Sequence, residues 1–89
     1  MTTLIERTLK TQKNNLKQAH NERYTQGDYE FRIIHEGGLA ESFAIMAREI
    51  GGRNFRYFDG FSAYKLYNKE QVVSYAKALT SQKFKDLHA

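Results

Sequence analysis

Residues 37–52, GGLAESFAIMAREIGG, govern how the rest of the chain reads. Leu39, Phe43, Met46 and Ile50 recur at i, i+4, i+7 and i+11, with Ala40, Ala44 and Ala47 as small neighbours, and this spacing predicts a helix over 39–50. Gly37 and Gly38 separate it from what precedes, and Gly51 and Gly52 follow its last apolar position, where a left-handed cap residue is usually glycine. With a helix here, the flanking segments become a strand before it and a hairpin after it.

From Asp28 to Glu36 the residues alternate, with Tyr29, Phe31, Ile33 and His35 on one face and Glu30, Arg32, Ile34 and Glu36 on the other, as in a half-buried strand. Beyond the helix, Asp59-Gly60 lies between the aromatic runs 53–58 and 61–67, a two-residue hairpin signal because both central residues must take positive φ. Asn68 then caps a final helix, with Gln71 three residues on and Val72, Tyr75, Ala76 and Leu79 as its stripe. Residues 80–89, with Lys83, Lys85 and His88, read as a basic tail.

Upstream, residues 2–22 read as a largely polar helix. Ile5, Leu9 and Leu16 form a narrow apolar seam, and Lys10, Lys13, Lys17 and His20 form a basic stripe beside it. Asn21 to Asp28, containing Gly27, reads as a loop. The expected architecture is therefore one small α+β domain over 1–89: an N-terminal helix, a β-α-β-β-α core over 28–79, and a three-stranded sheet with helices on one face.

A turn at Asp59-Gly60 also sorts the hairpin faces. Phe55, Tyr57, Ser62, Tyr64 and Leu66 would face the helices, leaving Asn54, Arg56, Phe58, Phe61, Ala63, Lys65 and Tyr67 on the open side. Rings offer bases a stacking surface while Arg and Lys hold phosphates, so a face of this composition suits single-stranded nucleic acid. The same residues also suit packing under the first helix or against a second copy of the chain.

The charge is segregated: net +3 over residues 1–23, −3 over 24–52 and +4 over 53–89, for +4 overall and a pI near 9.4. Either the basic ends meet and make one positive surface for an acidic partner, or the basic and acidic segments are complementary faces that join two copies of the chain. With no cysteine there is no disulfide framework and no thiolate nucleophile or zinc site, which points to a cytoplasmic setting. No stretch approaches the roughly 18 apolar residues of a membrane span, so no membrane partner is expected.

Three scattered histidines, His20, His35 and His88, make a poor metal site, and neither a cofactor nor catalysis is expected. His35 reads as a packed or rim histidine. The Glu36-Gly37-Gly38-Leu39 turn lacks a Walker or dinucleotide pattern.

In its order of elements the segment from Tyr29 through the helix beginning at Lys69 resembles a truncated ferredoxin-like or RNA-recognition arrangement lacking the last strand. The polar opening Thr11-Gln-Lys-Asn-Asn-Leu-Lys-Gln18, the small size and the absence of cysteine and proline are similar to the small early accessory proteins of T-even-like phages. Among those, the profile resembles basic RNA-binding inhibitors of toxin–antitoxin ribonucleases. That likeness implies counter-defence through RNA and the toxin.

Two functions follow as expectations. The first is a non-enzymatic binder of RNA or single strands with low sequence specificity. Lys10, Lys13, Lys17, Arg53, Arg56, Lys65 and Lys69 would hold phosphates, and Phe58, Phe61 or Tyr67 would stack on bases. The second is an inhibitor or adaptor that contacts a host or defence protein through the aromatic face. The apolar seam on the first helix and the open aromatic sheet also predict a homodimer.

Overall fold

In the computed structural model, which describes residues 15–87, a helical stretch at 15–17, inside the expected first helix, leads through a turn into four strands and a final long helix. They are β1 (Arg23–Gln26), β2 (Tyr29–Gly37), β3 (Ser42–Glu49), β4 (Arg56–Ser62) and α1 (Lys69–Leu87). The strands form one antiparallel sheet in the order β1-β2-β3-β4, so every neighbour in sequence is a neighbour in space. The α+β class stands, with four strands in place of three. Leu16, in the helical stretch 15–17, and Ala19, in the turn that follows it, are fully buried in the same core, whereas Ile5, Leu9, Lys10 and Lys13 of the expected first helix lie outside the described residues.

The expected helix over 39–50 is strand β3. Leu39 and Ile50, the ends of its helical stripe, are 99% and 60% exposed in the turns at either end of the strand. Ile45, off that stripe, is fully buried. Phe43, Ile45 and Ala47 alternate toward the core and pair with His35, Ile33 and Phe31 across β2. Local composition favours helix here, but β3 is paired on both sides, and non-local packing of this kind overrides intrinsic propensity. The likeness to a ferredoxin-like or RNA-recognition order disappears with the middle helix.

Asp59-Gly60 is the second correction. Both residues lie inside β4, opposite Ile45 and Ala44, and neither has positive φ. Gly60 is needed for space: a Cβ there would stand 2.7 Å from the Tyr57 hydroxyl and 3.3 Å from the Phe43 carbonyl oxygen. The two-residue turn instead joins β1 and β2 at Gly27-Asp28, with Gly27 at φ 59°, in the segment read as a loop.

Without the expected hairpin, the face assignment reverses for Tyr57, Phe58 and Phe61. Phe58 and Phe61 point to the helix side. The Phe58 ring meets Phe31 and Phe84 at centroid distances of 5.2 and 5.9 Å, and Phe61 stacks on Phe43 at 5.6 Å beside Tyr75. Tyr57 is exposed.

α1 begins as the sequence indicates. The Asn68 side-chain oxygen accepts the Gln71 amide at 2.9 Å, and the Gln71 side-chain oxygen accepts the Tyr67 amide at 2.7 Å. The helix continues to Leu87, and residues 80–87 are part of it, because Thr80 is fully buried and Phe84 closes the aromatic cluster over Tyr29, Phe31 and Phe58. No helix among the described residues is long and apolar enough to cross a membrane.

Tyr24 fastens the edge strand β1 to α1. Its ring stacks on Phe31 at 5.2 Å, and its hydroxyl lies 2.7 Å from Thr80 Oγ1 and 3.3 Å from the Ala76 carbonyl. Burial raises the Tyr24 pKa above its ordinary 10.0, against a smaller opposing effect of the Thr80 hydrogen bond. Tyr24→Phe is therefore expected to cost about 1 kcal/mol in urea denaturation at neutral pH. The folded protein keeps this proton where the unfolded chain releases it, so the stabilisation is complete below pH 10.0 and lost as pH rises through the raised pKa. The difference in urea midpoint between the two proteins should accordingly narrow above that pH.

Candidate nucleic-acid interface

A groove of about 630 Å³ lies at one end of the sheet where β3 leaves and β4 enters. Ala47, Arg48 and Glu49 come from β3, Gly52, Arg53 and Asn54 from the connecting loop, Arg56, Tyr57 and Phe58 from β4, and Tyr29 from the start of β2. The loop turns sharply at Gly51, at φ 87°, and the Gly52 amide bonds back to the Glu49 carbonyl at 2.8 Å.

Beyond that turn the chain is held by a small charge network. Arg48 donates to Glu30 Oε2 through Nε at 3.1 Å and Nη2 at 2.9 Å, and Glu30 Oε1 accepts from Arg23 Nη1 at 3.3 Å. Both guanidinium groups stand over the Phe55 ring, at 4.4 Å for Arg48 and 5.8 Å for Arg23. The charge of Arg48 is thereby committed to holding the loop.

Arg53 and Arg56 differ from it. Both are exposed in the same groove, and neither has an acidic partner among the described residues. Tyr57, 66% exposed, and Tyr29 add ring surface beside them. Two uncommitted guanidinium groups next to exposed rings can hold phosphate oxygens while a base stacks nearby.

The other residues singled out in the sequence are dispersed. Lys17 is exposed at the end of the helical stretch 15–17. Lys65 lines a separate depression with Ser62, Tyr64, Leu66 and Tyr75. Lys69 Nζ bonds Glu22 at 2.8 Å, and that hydrogen bond and charge raise its pKa, so its charge is already paired. Phe58 lends the groove a wall, but its carbonyl accepts the Lys83 ammonium and its ring is packed under α1, while Phe61 lies wholly on the helix side. Tyr67 is exposed beyond β4.

Tyr29, Arg48, Glu49 and Tyr57 were not among the candidates. Tyr29 and Glu49 meet only through the β2–β3 register, which a helical 39–50 conceals. The signal available for Tyr57 was its place in the run Arg53-Asn-Phe-Arg-Tyr57, directly after two glycines.

His35 lies toward the opposite end of β2. Its Nε2 is 3.3 Å from Glu41 Oε2, its amide donates to His20 Nδ1 at 2.9 Å, and its ring meets the Phe43 ring edge. Among the described residues, no three His, Asp or Glu side chains are grouped to hold a metal ion. Comparison with known proteins finds no matching family model, no matching curated protein and no matching solved structure.

Glu30→Ala is expected to release Arg23 and Arg48 together and loosen the 50–55 loop. The cost should be about 1 kcal/mol, since the groups are partly exposed, which corresponds to a Tm drop of roughly 4–8 °C. Thermal denaturation checks the first effect, and limited proteolysis after Arg53 checks the second.

Proposed function

We propose that the protein is a small, basic, non-enzymatic binder of single-stranded nucleic acid, RNA in the first instance, that works mainly through charge. The observation that carries this reading is the pair Arg53 and Arg56, both without an acidic partner among the described residues, sharing a groove with the exposed Tyr57 ring. The overall charge of +4 favours the same class of partner. The likeness to phage counter-defence proteins would place such binding in the inhibition of a host defence or toxin system.

Salt dependence tests it. Affinity for a short oligouridine RNA should fall steeply between low and physiological salt. Arg53→Glu and Arg56→Glu should each weaken binding and flatten the log–log salt slope by about 0.7 per phosphate contact removed. Tyr57→Ala should cost about 1–3 kcal/mol if a base stacks there. Charge reversals that leave the isotherm unchanged would overturn the groove as the binding site.

A second reading, protein contact, is favoured by a separate observation. Tyr64, Tyr67 and Tyr75 are all exposed near Leu66, where β4 gives way to α1. Exposed tyrosines beside a partly buried leucine have the composition of a protein hot spot. With Phe58 and Phe61 under α1, this cluster is also the surface on which a homodimer would be built. Light scattering at two concentrations should then show a dimer that Tyr67→Ala with Tyr75→Ala converts to monomer without changing RNA affinity; a monomer at both concentrations would count against it.

A further inference from the structure

Glu49 is the unexpected charge in the groove. It is exposed at the end of β3, shares the groove with Arg53 and Arg56, and pairs with neither. A surface evolved only to neutralise phosphates gains nothing from a carboxylate there, because it repels the same anion that the two arginines attract. Nor does it hold the fold through its side chain: Glu30 supplies the acid for Arg48, and only the Glu49 backbone carbonyl takes part in the turn, accepting the Gly52 amide.

What a carboxylate can do in such a place is accept hydrogen bonds from a base edge. In single strands the Watson–Crick edges are open to side chains. Guanine presents two adjacent N–H donors, N1–H and the N2 amino group, which match the two oxygens of one carboxylate in the parallel manner of an arginine fork. Adenine and cytosine each offer one donor next to an acceptor, and the uracil donor is flanked by two carbonyl oxygens that a carboxylate repels. Asn54, in the same groove, supplies a donor suited to guanine O6, and Tyr29, exposed and directly opposite Glu49 in the β2–β3 register, supplies a ring for its face.

We infer that this groove reads one guanine of a single strand through Glu49. The inference rests on the single-strand reading given above and adds a base to it. Arg53 and Arg56 hold the backbone, Tyr29 stacks on the guanine, and Glu49 chooses.

The test uses the full chain and four fluorescent RNA octamers: seven uridines with a central guanosine, adenosine or inosine, and uridine throughout. Wild type should bind the guanosine strand about 10-fold more tightly than the adenosine and all-uridine strands. Inosine, which lacks the N2 amino group, should lose most of that advantage. Glu49→Gln, conservative at an exposed position, should bring all four strands to within about 2-fold of one another while leaving the salt slope intact. Equal binding of the four strands by wild type, still weakened by Arg53→Glu, would overturn the guanine assignment and leave the single-strand reading standing. A guanosine preference that survives Glu49→Gln would also overturn it. Binding to none of the strands at low salt would remove both.

Discussion

Among the described residues one long helix, α1, has to close one face of a four-stranded sheet, and most of the described structure follows from that mismatch. A helix covers a strip about 10 Å wide, whereas four strands spaced about 4.8 Å apart extend to nearly twice that. α1 joins the core through Val72 and Ala76, in one cluster with Phe31, Ile33, Phe43 and Ile45, while Thr80 meets Tyr24 of the edge strand. The margins must be filled by something else. Phe58, Phe61, Phe84 and Tyr75 supply broad rings, and Leu16 and Ala19 come from the helical stretch and turn before β1. Aromatic residues that look like a ligand-binding face in the sequence are therefore largely used for closure.

The second face has no helix among the described residues and is handled by charge. Glu30, Arg23 and Arg48 lie on neighbouring strands and satisfy one another, and the loop brings Phe55 under the two guanidinium groups. Such partly exposed pairs contribute little stability each, but their geometry fixes where the loop runs. By holding the 50–55 segment through Arg48 and Phe55, the network leaves Arg53 and Arg56 facing solvent. The division between structural and available arginines is set by the single acid at position 30.

How far the sequence reveals this depends on how locally each feature is determined. Strand β2, the Asn68–Gln71 cap and the stripe Val72–Ala76 are readable because alternation, capping chemistry and helical period coincide there. β3 is not, because Phe43 and Met46 satisfy a period of 3.6 while Phe43 and Ile45 satisfy a period of 2, and alanines on either side favour the helix. Only pairing with both β2 and β4 decides between them. Asp59-Gly60 misleads for another reason: the glycine is there to admit the Tyr57 ring, and a sequence does not distinguish glycine required for space from glycine required for φ. Of the candidate site, Arg53 and Arg56 were legible from their charge. Their neighbours Tyr29, Arg48 and Glu49 were hidden behind the misread strand.

The irregularity in β4 links these observations. Ile45 faces Asp59 but the next residue, Met46, faces Tyr57, so Phe58 is an extra residue in the ladder. Strict alternation from Phe61, whose ring is in the core, would turn Phe58 outward and Tyr57 inward. The bulge reverses both. Phe58 reaches Phe31 and Phe84, and Tyr57 lies over Gly60 with its ring exposed beside the arginine loop. The same bulge, with Lys83 on the Phe58 carbonyl and the Asp59 carboxylate on the Gly60 amide, spoils β4 as a template for another strand. One inserted residue thus closes the core, blunts the sheet edge and turns the groove's tyrosine to solvent, so the groove cannot be varied independently of the fold that carries it.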